Sequence, residues 1–417
     1  MREINSLNVF LNFGVLRYLV GRLQYLKSEG RVVFEYDSQF ISLNLHFSPH
    51  QLPLEKKVYR APLWAGPADP QHGLHGVFAD SLPDSWGIRV QNEYFKKIHI
   101  SDPSPFDRLA FIGKNGLGAL EYEPAIESKE AGQAVIELAE LRKSAIGIIS
   151  GTAAEVSNSL FRQGGSAGGM RPKFVLLYDP SDKKFHYGMP FTSNNSHLIP
   201  CILKVPVKQA EDYQRIEFVY SLMAKKAQID ISETDLFEYE DQAYFYIRRF
   251  DINRDLTRNH IHTLAGIMGV DFSVHMFDYC DALKLTWVLT KDKRDVEELY
   301  RRMVFNVLAK NLDDHSKNFS FIMGSNGVWH LSPAYDMTYS LSRNGVHQMS
   351  LNGKTHSHTR DDFRKLSQEF NIKNWSIIID EVKEALSSWN SLATQYGISK
   401  ERISSLQGYI DENNEKI

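Results

Sequence analysis

NLDDHSKNFSF, residues 311–321, sets Asp313, Asp314, His315, Lys317 and Asn318 side by side just after VEELYRRMVFNVLAK (296–310). The preceding run repeats apolar residues at helical spacing, so a helix is expected to end near Asn311. A capped, solvated loop has this composition. So does a site that handles a metal ion and a proton. His315 fits a packing or hydrogen-bonding role better than a metal-ligand role. The surrounding sequence decides between loop and site. Asp313 precedes Asn318 by five positions, and Asp336 follows in LSPAYDMTYS (331–340), after a short apolar strand pattern.

Three pieces upstream complete an inventory. GGSAGGMRPKF (164–174) gathers glycines and small residues before a strand, so backbone N–H groups can crowd a phosphate. No G-K-[ST] follows, so it is not a Walker loop. CILKVPV (201–207) places Lys204 in a strand, on the opposite face from Leu203 and Val205. DYQRIEFVYSLMAKKAQI (212–229) is an amphipathic helix with Ile216, Val219, Tyr220, Met223 and Ala224 on one face. It also carries Glu217, the candidate partner of Lys204.

Phosphoryl transfer from ATP needs this set. A glycine-rich loop covers the phosphates, and a lysine holds them. A carboxylate receives the hydroxyl proton. A second carboxylate and an amide oxygen hold magnesium. The D-x-x-x-x-N spacing is that of a kinase catalytic loop. Taken singly, each piece has an ordinary reading: a glycine turn, a lysine solvating a sheet, a turn aspartate. Their order is that of a kinase.

The bulk numbers set the frame. At 417 residues, two or three domains or lobes are expected. Strand patterns fill residues 7–48, with KSEG (27–30) as a turn, and boundaries are expected near residues 105 and 250. AGQAVIELAELRKSA, within 128–145, has helical periodicity. After Asp251 the pattern is mostly helical, so a sheet-bearing lobe precedes a helical one. The fold class is α+β. A net charge of −3 argues against coating nucleic acid as the main task. Two cysteines, Cys201 and Cys280, make no disulfide framework, and a cytoplasmic location is the expectation. The N-terminus shows no secretory signal pattern, and no apolar run is long enough to span a bilayer.

With these residues in hand, the chain resembles the HipA family of serine/threonine kinases, the toxin half of bacterial toxin–antitoxin modules. The resemblance runs over nearly the whole length. VGRL with GRVVFEYD resembles the N-terminal subdomain, and FADSLPDSWG (78–87) resembles the SLPDxWG signature. GGSAGGMRPK, RNHIHTLAGIMGVDF (read as a helical stretch), NLDDHSKNFSF and LSPAYDM resemble the family's later motifs.

The resemblance implies a protein-kinase-like two-lobe fold. It divides as a β-rich subdomain over 1–105, the rest of the N-terminal lobe over 106–249, and a helical C-terminal lobe over 250–417. It implies Asp313 as catalytic base, Asn318 and Asp336 as Mg²⁺ ligands, and Lys204 as the ATP-phosphate lysine. It likewise implies that Gly168, Gly169 and Lys173 belong to the ATP loop and that Ser166 is the autophosphorylated serine. Arg248 and Arg249 sit near the nucleotide cleft. His315 orders the catalytic loop, and Glu217 supports Lys204. The implied partners are a small helix-turn-helix antitoxin, through which DNA is reached indirectly, and a protein substrate such as an aminoacyl-tRNA synthetase. Halted translation and drug-tolerant persistence are the implied outcome. Two other readings fit the same residues: a catalytically quiet, antitoxin-binding co-repressor, and a small-molecule kinase.

Overall fold

The computed structural model describes residues 4–63, 69–126, 134–152, 161, 169–188, 197–207, 212–274, 277–342 and 344–417. Among the described residues, three antiparallel sheets organise the chain. The first begins with β1 (Ser6–Asn12), β2 (Arg17–Leu26) and β3 (Arg31–Tyr36). Alternation buries Leu7, Val9 and Leu11 on one face of β1. The β2–β3 turn closes at Gly30, whose φ of 59° suits a residue without a side chain. β4 (Val58–Arg60) and β5 (Leu120–Glu123) complete the order β4-β3-β2-β1-β5. β5 pairs with β1, so this sheet reaches past the boundary expected near residue 105.

Not all of residues 7–48 is extended. Asp37 accepts from Gln39 N–H at 2.9 Å and caps a short helix, Ser38–Ser42.

The second sheet holds β6 (Ala134–Ile136), β7 (Lys173–Asp179), β8 (Lys184–Tyr187), β9 (Ile199–Lys204), β10 (Thr234–Tyr239) and β11 (Gln242–Arg248). Their order is β10-β11-β9-β7-β8-β6. β9 is therefore an interior strand, paired with both β7 and β11. β6 corrects the helical reading of 128–145. Residues 134–136 form an edge strand on β8, and the helix starts only at Leu138, running to Ser150.

The second lobe carries β12 (His260–Thr263), β13 (Ser320–Met323) and β14 (Trp329–Leu331) as a small sheet. β12 replaces the start of the expected helical stretch, because His260, Ile261, His262 and Thr263 pair with β13. Thr263 then caps the short helix Leu264–Met268. Around the sheet lie the helices Tyr279–Thr290, Lys293–Leu308, Arg360–Glu369, Trp375–Ser387, Trp389–Gln395 and Lys400–Lys416. Lys293–Leu308 buries Val296, Leu299, Tyr300, Met303, Val304 and Val307. It ends where Lys310 turns left-handed at φ 58° and Asn311 N–H donates back to Asn306 O at 2.9 Å.

Buried polar contacts join the first sheet to the second lobe. Asp80 accepts from Thr263 N–H and Thr263 O–H, each at 2.7 Å. His262 Nδ1 lies 2.7 Å from the same carboxylate, so its proton sits on that nitrogen. Arg258 Nη1 donates to Glu121 Oε1 at 2.9 Å, and Gly118 N–H donates to Asp251 Oδ2 at 2.7 Å.

Candidate active site

β9 delivers Lys204 from the middle of the second sheet. Leu203 and Val205 go into the core, and Lys204, 8% exposed, lies on the other face. Its Nζ donates to Glu217 Oε1 and to Asp336 Oδ1. Glu217 comes from the helix Tyr213–Lys226, which packs on β11. Asp336 comes from the other lobe. One ammonium thus ties a strand, a helix and the opposite lobe. Burial pulls the Lys204 pKa down, but the Asp336 and Glu217 carboxylates more than reverse it, and the net shift is upward.

Lys173 opens β7 directly across from Lys204 in the β7–β9 register, so both side chains share a sheet face. Lys173 is also buried. Burial, then the Lys204 charge, hold its pKa below the usual lysine value. Two buried ammonium groups beside carboxylates form a polar floor suited to a polyphosphate.

The segment leading into Asp336 is fixed by two contacts. Ala334 N–H donates to Asp230 O at 2.7 Å, and the Tyr335 ring stacks on Phe250 at 5.7 Å. Asp336 itself takes φ 52°, a left-handed conformation that aspartate tolerates better than most side chains. Burial raises its pKa, and Lys204 with Lys173 drives it well below the ordinary carboxylate range.

The polar stretch after the helix Lys293–Leu308 folds into a tight loop. Leu312 N–H donates to Ser340 O at 3.1 Å, and Asn318 N–H to His315 O at 2.9 Å. Asn318 Nδ2 donates to Asp313 O at 2.8 Å, which leaves its amide oxygen for another partner. Asp313 faces solvent, its side chain 54% exposed. His315 Nε2 stands 3.8 Å from Asp313 Oδ1, and its ring leans on Phe272. The His315 carbonyl accepts from Asn318 N–H, while its Nδ1 is buried with no hydrogen-bond partner among the described residues.

Asp314 went unassigned in the sequence, yet it anchors the loop. It is 1% exposed and accepts from Tyr279 O–H at 2.6 Å, Gln348 N–H at 2.8 Å and His347 Nδ1 at 2.9 Å. Burial raises its pKa, and His347 and the other donors bring it below the ordinary value.

Gly169 has φ 86°, and a Cβ there would stand 2.5 Å from Lys173 Nζ. Glycine thus lets the backbone at position 169 approach the Lys173 ammonium. Ser166 and Gly168 lie outside the described residues. Arg249 is committed to Asp251, with Nη2 at 2.6 Å from Oδ2 and Nε at 3.0 Å from Oδ1, and it also donates to Gly116 O. Arg248 stands 4.0 Å from Glu233. Arg249 is thus tied to Asp251 and Gly116, and Arg248 lies beside Glu233.

An interior strand lysine, its helix glutamate, and a second lobe carrying an Asp–Asn loop and a further aspartate define a protein-kinase-like, two-lobed chain. The HipA-like C-terminal domain model matches residues 165–389, and the HipA N-terminal domain model matches 7–123. The chain belongs to the HipA family.

The fold is shared with HipA of Shewanella oneidensis MR-1, solved with HipB and operator DNA. That match has a TM-score of 0.69 and 15% identity, and covers 98% of this chain and 96% of that one. The Helicobacter pylori proinflammatory kinase CtkA aligns at TM-score 0.37 with 13% identity, over 59% of this chain and 90% of its own. Y4dM of Sinorhizobium fredii, whose name calls it a kinase provisionally, is 27% identical over 211 residues, 46% of this chain. The chain spans about half the length of that curated relative, 51%. Among the described residues, no helix is long and apolar enough to cross a membrane.

Proposed function

We propose that this chain is an ATP-dependent serine/threonine protein kinase acting as a toxin, with a translation component such as an aminoacyl-tRNA synthetase as substrate. One observation carries this reading: Lys204 is buried between Glu217 of its own lobe and Asp336 of the other. A structural ion pair would not need the glycine-rich stretch before β7 or the Asp313–Asn318 loop beside it.

The donor set fits a hard divalent cation. Asp336 offers a carboxylate and Asn318 an amide oxygen, and Mg²⁺ is commonly held by one or two such groups plus substrate phosphates. Bound there, Mg²⁺ would supply charge neutralisation across the phosphates. Lys204 would turn from Asp336 toward the phosphates, and Lys173 would add a second positive charge beneath the loop. Asp313, exposed at the loop's edge, would orient the incoming hydroxyl and receive its proton. The new bond joins the hydroxyl oxygen to the terminal phosphorus as the bond to ADP breaks.

The family likeness, and a net charge of −3, support a small helix-turn-helix antitoxin as partner and as the main DNA contact. The reading is tested by transfer of labelled phosphate from ATP into a cell extract, followed by phosphoamino-acid analysis. Label on serine or threonine is expected, and label on neither contradicts it.

Self-inactivation at Ser166 belongs to the same reading. A phosphate there adds about −1.5 to −2 charge to a loop that must receive phosphates. Ser166→Asp is expected to weaken ATP binding about tenfold, and Ser166→Ala to preserve it, by nucleotide titration. Equal affinities would contradict this regulation.

A further inference from the structure

Asp84 starts the helix Ser85–Lys97 with φ −83° and ψ −162°, where an aspartate ordinarily caps, yet its carboxylate caps nothing in that helix. Oδ2 accepts Gly169 N–H at 2.9 Å, and Oδ1 pairs with Lys317 Nζ. Gly169 closes the glycine-rich stretch, and Lys317 lies inside the Asp313–Asn318 loop. Burial pushes the Asp84 carboxyl up, but Lys317 and the Gly169 N–H bring it below the ordinary value, so it is charged.

The neighbouring Trp86 fastens only one side. Its N–H donates to Gly169 O at 3.1 Å, and its indole Nε1 donates to Lys173 O at 2.8 Å. These bonds hold the loop end to the start of β7 without reaching the other lobe. Asp84 adds that reach. Lys317 is itself seated over the Phe272 ring, 5.0 Å from its centre, with its side chain 17% exposed. The ion pair is therefore largely shielded from solvent.

We propose that Asp84 is a positioning residue for phosphoryl transfer: one carboxylate sets the Gly169 N–H and the Asp313–Asn318 loop at a fixed separation. Phosphates seated at Gly169 and Lys173 then meet the groups carried by that loop. This rests on the kinase reading above. Because Trp86 keeps its own bonds, loss of Asp84 should leave Gly169 attached but out of register with the Asp313–Asn318 loop. A small misplacement of that kind costs rate more than it costs binding.

The test is a double-mutant cycle on the full-length chain with Asp84→Ala, Lys317→Ala and both together. Binding of a fluorescent ATP analogue is measured beside phosphate transfer at saturating ATP. Each single variant is expected to lose about tenfold to a hundredfold in transfer rate, with analogue affinity changed about threefold or less. The double variant is expected to be no slower than the slower single. Asp84→Asn keeps an acceptor for Gly169 and loses the ion pair, and it is read in place of Asp84→Ala if that variant does not fold. Losses that multiply in the double variant would overturn the proposal, as would an unchanged rate in Asp84→Asn. A wild type that binds the analogue but transfers nothing, or binds none, would instead overturn the kinase reading.

Discussion

Lys204→Met is expected to abolish ATP-dependent phosphorylation and to cost about 3–5 kcal/mol of stability. Both losses have one cause. The ammonium is buried between the Glu217 and Asp336 carboxylates, and Glu217 is itself almost fully buried. Removing the positive charge leaves two negative groups facing each other, offset in part by Lys173. The double variant Lys204→Met/Glu217→Gln should recover part of the stability, because it also removes a stranded charge. It should recover no activity, because the phosphate-holding charge is still missing. Thermal melts beside transfer assays separate the two. Recovered activity in the double variant would show that Lys204 serves only the fold.

Asp314→Ala is expected to cost at least about 3 kcal/mol, while Asp313→Ala leaves stability nearly unchanged. The two aspartates are adjacent but have opposite surroundings. Asp314 is enclosed by Tyr279, His347 and the Gln348 N–H. Asp313 is in solvent. The melting temperature of Asp314→Ala should fall by at least about 3 °C; a melt like that of wild type would contradict the anchoring role.

The same carboxylate sets an acid limit. Asp84, Asp314 and Asp336 all sit below the ordinary aspartate value of 3.8 in the folded chain. A depressed carboxyl contributes stability above its unfolded value and loses it as pH falls through the folded one. Wild-type stability should therefore drop steeply below about pH 4, and Asp314→Ala should show a shallower slope there.

Much of this site was legible as order along the chain. Lys204, Glu217, Asp313, Asn318 and Asp336 are recognisable because each sits in a local pattern: an apolar strand, an amphipathic helix, a polar helix end and a strand exit. The structure brings Lys204, Glu217 and Asp336 together, and it folds Asn318 back on Asp313.

What stayed hidden depends on partners far away in sequence. Asp84 falls in the SLPDSWG stretch, but its partners Gly169 and Lys317 lie 85 and 233 residues away, so the link it makes cannot be read locally. Asp314 reads as a copy of Asp313 until Tyr279 and His347 close over it. Ala134–Ile136 joins a run with helical periodicity, and only pairing with β8 makes it a strand. His260–Thr263 is too short for alternation to outweigh its helix-like setting, and β13, which pairs with it, lies beyond three intervening helices.

The most direct test of phosphoryl transfer is intact mass after phosphatase treatment, then incubation with ATP and Mg²⁺, for wild type beside Asp313→Ala. Wild type is predicted to gain an increment of about 80 Da, the mass of one phosphate group, and Asp313→Ala to gain none. Equal gain in both, or no gain in a wild type shown to start unphosphorylated, would contradict the assignment of Asp313 and of the site built around it.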